Sequence, residues 1–181
     1  MRKIDFNRGW TVRCLTRDED EKLVNLPHDA MIGEQRTETS AGADNIGFFE
    51  GGDYEYAKSF EVPESWKGRT AIFEFEGVYH NAEVWLGGEK LHFRPYGYTN
   101  FFTDLTGKLQ AGENTLTIIA DNAAAPNSRW YSGSGIYREV SLYTGGKEYI
   151  DAEGIRVEVL SLDKVRISVG GQCGRDTEAK K

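Results

Sequence analysis

Cysteine is scarce in this 181-residue sequence, and its placement excludes two common kinds of scaffold. The two cysteines, Cys14 and Cys173, stand far apart, so they form neither a disulfide framework nor the closely spaced pairs of a zinc site. The three histidines, His28, His80 and His92, are isolated from one another and from cysteine. We therefore expect no metal site, and a fold stabilised by an ordinary hydrophobic core.

Positive charge and long apolar runs are also lacking. The 22 Lys and Arg residues are outnumbered by 29 Asp and Glu residues, which gives a net charge of −7. Nucleic acids and anionic membranes are bound by clustered cations, so we expect neither as a partner. The N-terminal segment MRKIDFNRGW has no apolar run behind it, as a secretory signal or membrane span would, and the sequence contains no Asn-x-Ser/Thr sequon. These absences predict a cytoplasmic location.

Convincing amphipathic helices are missing, and alternation of apolar and polar residues dominates instead. The alternation predicts strands at 54–62, 70–77, 82–86, 90–94, 100–105, 114–121 and 138–144, with a tight hairpin turn at Gly87-Gly88. Long loops at 27–53 and 122–137 hold most of the polar and aromatic groups of interest. Many short strands joined by such turns predict an all-β fold, an antiparallel jelly-roll β-sandwich.

The pattern changes after Gly145-Gly146. Residues 155–160 and 165–169 alternate cleanly, but two strands do not form a stable domain in water. We therefore predict a jelly roll over 1–146, the opening strands of a truncated second β domain over 147–170, and a disordered tail over 171–181. The open edges of this hairpin predict either disorder or pairing with another copy, as a homo-oligomer.

The segment NSRWYSGSGIYR at 127–138 is the most informative stretch of the sequence. A ring such as Trp130 or Tyr131 offers an apolar face to the C–H groups of a sugar, while amide and guanidinium groups reach its hydroxyls. This composition favours a carbohydrate-facing loop. It also fits a glycine-relieved connection in which the aromatic rings cap the core and Arg138 pairs with a carboxylate at the core edge.

Three further features of the sequence bear on its chemistry. Asp53 follows Gly51-Gly52, which would let a ligand approach the backbone closely, although the residue also fits a polar loop tip. The adjacent pair His28-Asp29 does not produce triad geometry by itself, so we expect it to be structural. Gly133-Ser134-Gly135 lacks the third glycine and the βαβ unit of a dinucleotide site, so no cofactor is expected.

Five blocks occur in an order that resembles a known family. They are LPHD at 26–29, GVYHNAEVWLGG at 77–88, RPYGYTNFFTDLT at 94–106, AGENTLTIIADN at 111–122 and NSRWYSGSGIYR at 127–138. Together they resemble the N-terminal sugar-binding domain of glycoside hydrolase family 2, which contains β-galactosidases, β-glucuronidases and β-mannosidases. The β-galactosidase-like branch fits best.

The resemblance implies a galactose-binding-like jelly roll, followed by an immunoglobulin-like sandwich and a (β/α)₈ barrel. In that family the barrel holds the two glutamates of a retaining mechanism, so no catalytic residue is expected in this chain. The implied partners are a β-hexoside and the rest of the parent enzyme, whose non-reducing-sugar pocket this domain helps to form. The LPHD block implies a turn that locks the loop around His28 and Asp29.

Matching the motif residue by residue places the sugar contacts at Asn127, Ser128, Arg129 and Trp130. Some relatives carry an acidic residue at the position of Ser128, and serine is a much weaker ligand for a cation. With Tyr131 and Asp53, these residues make up the candidate substrate-binding set. Two other functions remain open on the sequence: a free-standing carbohydrate-binding module, and a sandwich that only docks protein.

Overall fold

The computed structural model describes residues 1–17, 19–124 and 128–172, and most of them lie in antiparallel strands. The strands are β1 (Arg2–Asp5), β2 (Trp10–Cys14), β3 (Lys22–Val24), β4 (Gly52–Val62), β5 (Thr70–Phe75), β6 (Ala82–Leu86), β7 (Glu89–Arg94), β8 (Phe101–Asp104), β9 (Gly112–Asn122), β10 (Val140–Gly145), β11 (Tyr149–Ser161) and β12 (Lys164–Gln172). Short 3₁₀ helices occupy Ala43–Ile46 and Glu64–Trp66. Neither helix in the described ranges is long or apolar enough to span a bilayer.

Two sheets face each other and form a sandwich. One has the strand order β1-β10-β5-β8, and the other has the order β3-β2-β4-β9-β6-β7. Each neighbouring pair in the two sheets is antiparallel. The prediction of an all-β antiparallel sandwich is therefore confirmed.

The core lies between the two sheets because each sheet turns alternate side chains inward. In β9 the inward face carries Leu116, Ile118 and Ala120, all fully buried. Phe73 and Phe75 of β5 fill the facing layer of the same hydrophobic cluster. This period-2 burial is the structural counterpart of the alternation read from the sequence.

The predicted strands occur with small shifts at their ends, and the hairpin between β6 and β7 is confirmed. Gly87 and Gly88 have φ values of 54° and 87°, which the tight turn requires and other residues rarely adopt. The structure adds three N-terminal strands, β1 to β3, that the sequence pattern did not indicate. β2 joins β4 to the edge strand β3 and buries Trp10 and Val12 in the core.

The C-terminal hairpin is longer than predicted, because β11 and β12 extend over Tyr149–Ser161 and Lys164–Gln172. The two strands form a separate two-stranded sheet. Gly171 and Gln172, assigned to the tail from the sequence, belong to β12, and the rest of the predicted tail lies outside the described residues. The domain boundaries at 146 and 170 remain predictions.

Candidate functional site

The loop that carries the aromatic motif is held in place by the carboxylate of Asp29. Its Oδ1 accepts hydrogen bonds from the backbone N–H groups of Met31 and Ser134, both at 3.0 Å, and its Oδ2 accepts one from the Tyr131 hydroxyl at 2.6 Å. Gly133 has φ +68°, and a Cβ there would lie 2.7 Å from Asp29 Oδ2. The loop thus approaches the carboxylate as closely as it does because residue 133 has no side chain.

The backbone on either side of Asp29 joins the two segments. The N–H of His28 donates to the carbonyl of Ile136 at 2.8 Å, and the N–H of Ala30 donates to that of Ser134 at 2.9 Å. His28 Nδ1 lies 2.8 Å from the hydroxyl of Tyr56, a fully buried residue of β4. The structural role predicted for His28-Asp29 is confirmed, because both residues bind the loop to the sandwich.

Asn122, the last residue of β9, fixes the same loop from a third direction. Its buried side-chain amide donates to the carbonyl of Gly133 at 3.0 Å and is also hydrogen-bonded to the hydroxyl of Ser134. Gly135 exchanges two backbone hydrogen bonds with Tyr79, at 2.9 and 3.0 Å. Because buried partners hold this loop at consecutive residues, the loop is preorganised, and its exposed side chains can bind a ligand at a lower cost in conformational entropy.

Three exposed rings lie next to one another on this secured loop and on the connection between β7 and β8. Trp130, Tyr98 and Tyr96 are 59%, 38% and 56% exposed, and we call them the aromatic ledge. The indole N–H of Trp130 donates to the hydroxyl of Tyr98 at 3.0 Å. The rings of Tyr96 and Tyr98 are in edge contact, with centroids 5.8 Å apart. Exposed aromatic rings that adjoin in this way form a candidate binding surface.

Tyr131, which follows Trp130 in the chain, is 38% exposed but has partners of its own within the fold. Its ring packs against buried Phe49 with centroids 5.4 Å apart, and its hydroxyl is bound to Asp29. Burial, and then the hydrogen bond to the Asp29 carboxylate, raise the pKa of the Tyr131 hydroxyl above its ordinary value. Tyr131 is thus a neutral hydrogen-bond donor that anchors the loop.

The other predicted contacts are distributed unevenly. Ser128 is half-buried and donates to the carbonyl of Trp130 at 2.6 Å, while Arg129 is exposed. Asn127 lies outside the described residues. Asp53 lies within β4 instead of at a loop tip, and its Oδ1 accepts hydrogen bonds from the N–H groups of Asn122 and Ala123 at 3.0 and 2.9 Å. That carboxylate organises the end of β9, from which the loop leaves.

The sequence left open a structural role for the motif, with its aromatic rings capping the core and Arg138 paired with a carboxylate. Trp130 does not plug the core, because more than half of its surface is exposed. The guanidinium of Arg138 lies over the ring of Tyr137, 5.3 Å from its centroid, so an aromatic ring takes the place of the expected carboxylate. Tyr131 comes closest to the structural interpretation, since it bridges Phe49 and Asp29.

Sequence reasoning did not single out Tyr96 and Tyr98 as site residues. The signal was present in RPYGYTNFFTDLT, where two tyrosines flank Gly97. A Cβ at Gly97 would lie 2.6 Å from the Tyr79 ring, and the Gly97 carbonyl accepts a hydrogen bond from the Tyr137 hydroxyl at 2.7 Å. Tyr96 and Tyr98 lie close to Trp130 only in the tertiary structure, which the linear motif does not encode.

A cleft of about 800 Å³ adjoins the anchoring segment, lined in part by His28, Asp29 and Arg36. Within the cleft, the guanidinium of Arg17 pairs with the carboxylate of Glu34, which also accepts a hydrogen bond from the Tyr54 hydroxyl. Further cations of the lining have acidic partners too: Arg13 with Glu55 and Lys22 with Glu19. Arg36 lies over the Phe49 ring, 5.1 Å from its centroid. The arginine and lysine side chains of the cleft thus already have partners within the fold, so the ledge is the better candidate site.

Metal chemistry finds no support in the side chains that the structure describes. Over these ranges no three His, Cys, Asp or Glu residues converge closely enough to hold an ion. Asp53 and Asp121 face each other across β4 and β9, but Asp53 is already bound to two backbone N–H groups. Burial, and then the charge of Asp53, raise the pKa of Asp121.

The sequence profile described as "Glycosyl hydrolases family 2, sugar binding domain" matches residues 45–146, more than half of the chain. The chain belongs to this family. The match includes both tyrosines of the ledge and the loop with Trp130. The resemblance drawn from the five sequence blocks is thereby confirmed, and this family 2 sugar-binding domain can be compared with its relatives.

Two relatives and one solved structure illustrate the similarity. The chain is 42% identical over 173 residues to "Beta-galactosidase BoGH2A" of Bacteroides ovatus, covering 90% of this chain and 20% of that protein. It is 33% identical over 147 residues to a "Putative beta-glucuronidase" of Formosa agariphila, covering 81% of this chain and 14% of the relative. The crystal structure of a β-glycosidase from Bacteroides vulgatus superposes with a TM-score of 0.88 at 32% identity, covering 98% of this chain and 25% of that one. The chain thus spans a quarter or less of each.

Proposed function

We propose that this family 2 sugar-binding domain is the non-catalytic wall of a glycoside pocket in a larger β-galactosidase-like enzyme. The relatives named as β-galactosidase and β-glucuronidase, which are four or more times the matched length, support the larger enzyme. In this proposal a barrel elsewhere in the enzyme supplies two carboxyl groups about 5 Å apart, which act as acid/base and nucleophile in a retaining exo-β-glycosidase.

One observation carries the proposal: Trp130 is exposed although its loop is rigidly anchored. Its N–H is satisfied by Tyr98, so what remains available is the apolar surface of the indole. Such a surface suits the C–H face of a pyranose, and the exposed guanidinium of Arg129 adjoins it in sequence as a donor for hydroxyls.

The non-catalytic role is supported by the state of the best carboxylate pair. Asp53 and Asp121 are register partners in β4 and β9, and burial together with the charge of Asp53 raises the pKa of Asp121, whereas retaining hydrolysis needs two carboxyl groups that flank a glycosidic bond. Asp53 is in addition held by the N–H groups of Asn122 and Ala123. Asp53 thus has a structural role at the end of β9.

Hydrolysis assays test whether this domain is non-catalytic and the rest of the enzyme carries the activity. The 181-residue chain and the complete reading frame that encodes it are each incubated with the p-nitrophenyl β-galactoside, β-glucuronide and β-mannoside. We expect no turnover by the chain and turnover of one substrate by the complete product. Turnover by the chain alone, or by neither protein, contradicts the proposal.

Substitution of Trp130 tests its contact with sugar. In the complete enzyme, Trp130→Ala should raise KM about 5-fold, because a stacking contact contributes about 1 kcal/mol and 1.4 kcal/mol corresponds to a factor of ten. The matched control is Phe93→Ala, which removes another half-exposed ring, one that packs under Lys90 in β7. Loss of stability with an unchanged KM for Trp130→Ala would instead favour a sandwich that only docks protein.

A free-standing carbohydrate-binding module is the second candidate, favoured by the exposure of the ledge in this chain. Calorimetric titration of the chain with galactose, glucuronate and mannose separates the two functions. Millimolar or tighter binding by the chain supports the module. The dependent wall predicts no measurable heat with these monosaccharides.

A further inference from the structure

The aromatic ledge is larger than one sugar ring requires. Its three rings form a row with Tyr98 in the middle. The indole N–H of Trp130 donates to the Tyr98 hydroxyl at 3.0 Å, and the Tyr98 ring contacts the Tyr96 ring with centroids 5.8 Å apart. A pyranose face covers about one aromatic ring. If Trp130 faces the sugar of the glycosidase pocket, Tyr96 at the far end is left for a second unit.

The backbone that carries Tyr96 and Tyr98 is anchored to the sandwich. Tyr98 packs on Tyr79 with centroids 5.2 Å apart, and the hydroxyl of Tyr137 donates to the Gly97 carbonyl between the two tyrosines at 2.7 Å. Arg94 and Thr99, which flank the two tyrosines, are joined by a hydrogen bond from Arg94 to Thr99 Oγ1 at 2.6 Å. A segment anchored in this way loses little backbone freedom on binding, which favours affinity.

We propose that the Tyr96 end of the ledge is a subsite for a second sugar unit, so that the domain recognises a β-linked oligosaccharide. This inference rests on the proposed function, because Trp130 defines the end at which the first unit lies. The occupant is a glycan, because the ledge presents aromatic faces and hydroxyls. Aromatic faces with polar tips suit pyranose rings, which present C–H faces and hydroxyl edges.

Binding of oligosaccharides by the 181-residue chain tests the subsite. The chain is titrated with β-1,4-linked galactohexaose, cellohexaose and mannohexaose, and with galactose, glucose and mannose, and binding is followed by NMR chemical-shift changes. We expect one hexaose to bind at least 10-fold more tightly than its monosaccharide. Binding of every hexaose no tighter than its monosaccharide would overturn the inference.

Variants locate the contact. Tyr96→Ala should weaken hexaose binding at least 5-fold, Tyr96→Phe should retain it because the ring face is kept, and Phe93→Ala should leave it unchanged. Urea unfolding of each variant verifies that the fold is intact. Equal hexaose affinity of the parent chain and the Tyr96→Ala chain would overturn the subsite. The same holds if Tyr96→Ala changes only the kinetics of the complete enzyme and leaves hexaose binding by the chain unchanged.

The same variants separate this inference from the proposed function. If Trp130→Ala raises KM in the complete enzyme while Tyr96→Ala changes neither hexaose binding nor kcat/KM for oligosaccharides, the pocket wall stands and the second subsite fails. If Trp130→Ala leaves KM unchanged while Tyr96→Ala abolishes hexaose binding, the wall fails and the ledge acts as an independent glycan site.

Discussion

Asp29 is the single residue on which the candidate site most depends. One carboxylate joins its own segment, through Met31, to the loop of Tyr131 and Ser134, which follows about a hundred residues later in the chain. Hydrogen bonds to a charged acceptor are stronger than neutral ones, and removal of the acceptor leaves the buried donors unsatisfied. Asp29 is not part of the aromatic ledge, but it holds the loop that carries Trp130 and so positions the ledge.

Asp29→Ala should lower the free energy of unfolding by about 1–3 kcal/mol, since it removes the acceptor for two backbone N–H groups and one hydroxyl. Urea unfolding followed by tryptophan fluorescence measures the change. The matched control is Asp44→Asn at an exposed carboxylate of the first 3₁₀ helix, which should change stability by less than about 0.5 kcal/mol. Equal effects of the two substitutions would contradict the anchoring role of Asp29.

His28 couples the same region to pH. Burial, assisted by the charge of Lys22 and opposed by that of Asp29, lowers the pKa of His28 below its ordinary value of 6.5. The unfolded chain then binds a proton more readily than the folded one. The associated stability is fully present above about pH 6.5 and is lost as the pH falls through the lower folded-state pKa.

His28→Gln should therefore flatten the decline in unfolding free energy between about pH 7 and pH 5. Urea unfolding at several pH values gives the slope. Tyr56→Phe is the control, because it removes the hydroxyl beside His28 Nδ1 but keeps the ring that buries the imidazole. The Tyr56→Phe protein should keep a steeper slope than His28→Gln, and identical slopes in the parent chain and His28→Gln would exclude His28 as the titrating group.

At the scale of the element, β4 shows how a strand tolerates an apparent break in its pattern. Ala57 and Lys58 blur the alternation in the sequence, yet the even-numbered positions face inward along the whole strand. Lys58 is accommodated because its ammonium lies 3.9 Å from the centroid of the Phe6 ring and donates to the carbonyl of Arg8 at 2.6 Å. The sequence predicted the strand, but the partner that makes Lys58 acceptable comes from a distant segment.

The β11–β12 hairpin is ordered, and one of its faces is apolar and uncovered. The register pairs Val157 with Ile167 and Val159 with Val165, and all four side chains are exposed. Exposed apolar faces and open strand edges favour association. Of the two outcomes expected from the sequence, the structure shows strands in place of disorder, and pairing with another copy remains a prediction.

Light scattering coupled to size-exclusion chromatography should show concentration-dependent association of the chain. Val157→Lys places a charge on the apolar face and should shift the protein to monomer. Ser168→Lys adds the same charge on the opposite face, where Ser168 pairs with Arg156, and should leave the association intact. A chain that is monomeric at every concentration, with well-protected hairpin amides, would contradict this prediction.

At the scale of the whole molecule, stability is concentrated in the sandwich. β4 and β9 pair along their entire eleven-residue lengths and bury Tyr54, Tyr56 and Ile118 between the sheets. The side chains of β11 and β12 are exposed almost throughout. Amide exchange reports such differences, because each region opens with its own free energy.

Hydrogen exchange measured by mass spectrometry at a dilution where the chain is monomeric should separate the two regions. Amides in β4 and β9 should exchange at least about 100-fold more slowly than those in β11 and β12, once corrected for sequence-dependent intrinsic rates. A rise in hairpin protection at high concentration would support its pairing with another copy. Equal protection of the sandwich and the hairpin under dilute conditions would contradict the prediction.

The sequence by itself determined the strand content, the inward-facing side chains, the turn at Gly87-Gly88 and the loop that carries Trp130. These follow from backbone periodicity and local turn chemistry, which depend only on near neighbours in the chain. The meeting of Trp130 with Tyr98, and of Tyr131 with Asp29, was decided by the tertiary structure alone. Those contacts join residues 32 and 102 positions apart, and such partners are selected only when two sheets pack around one core.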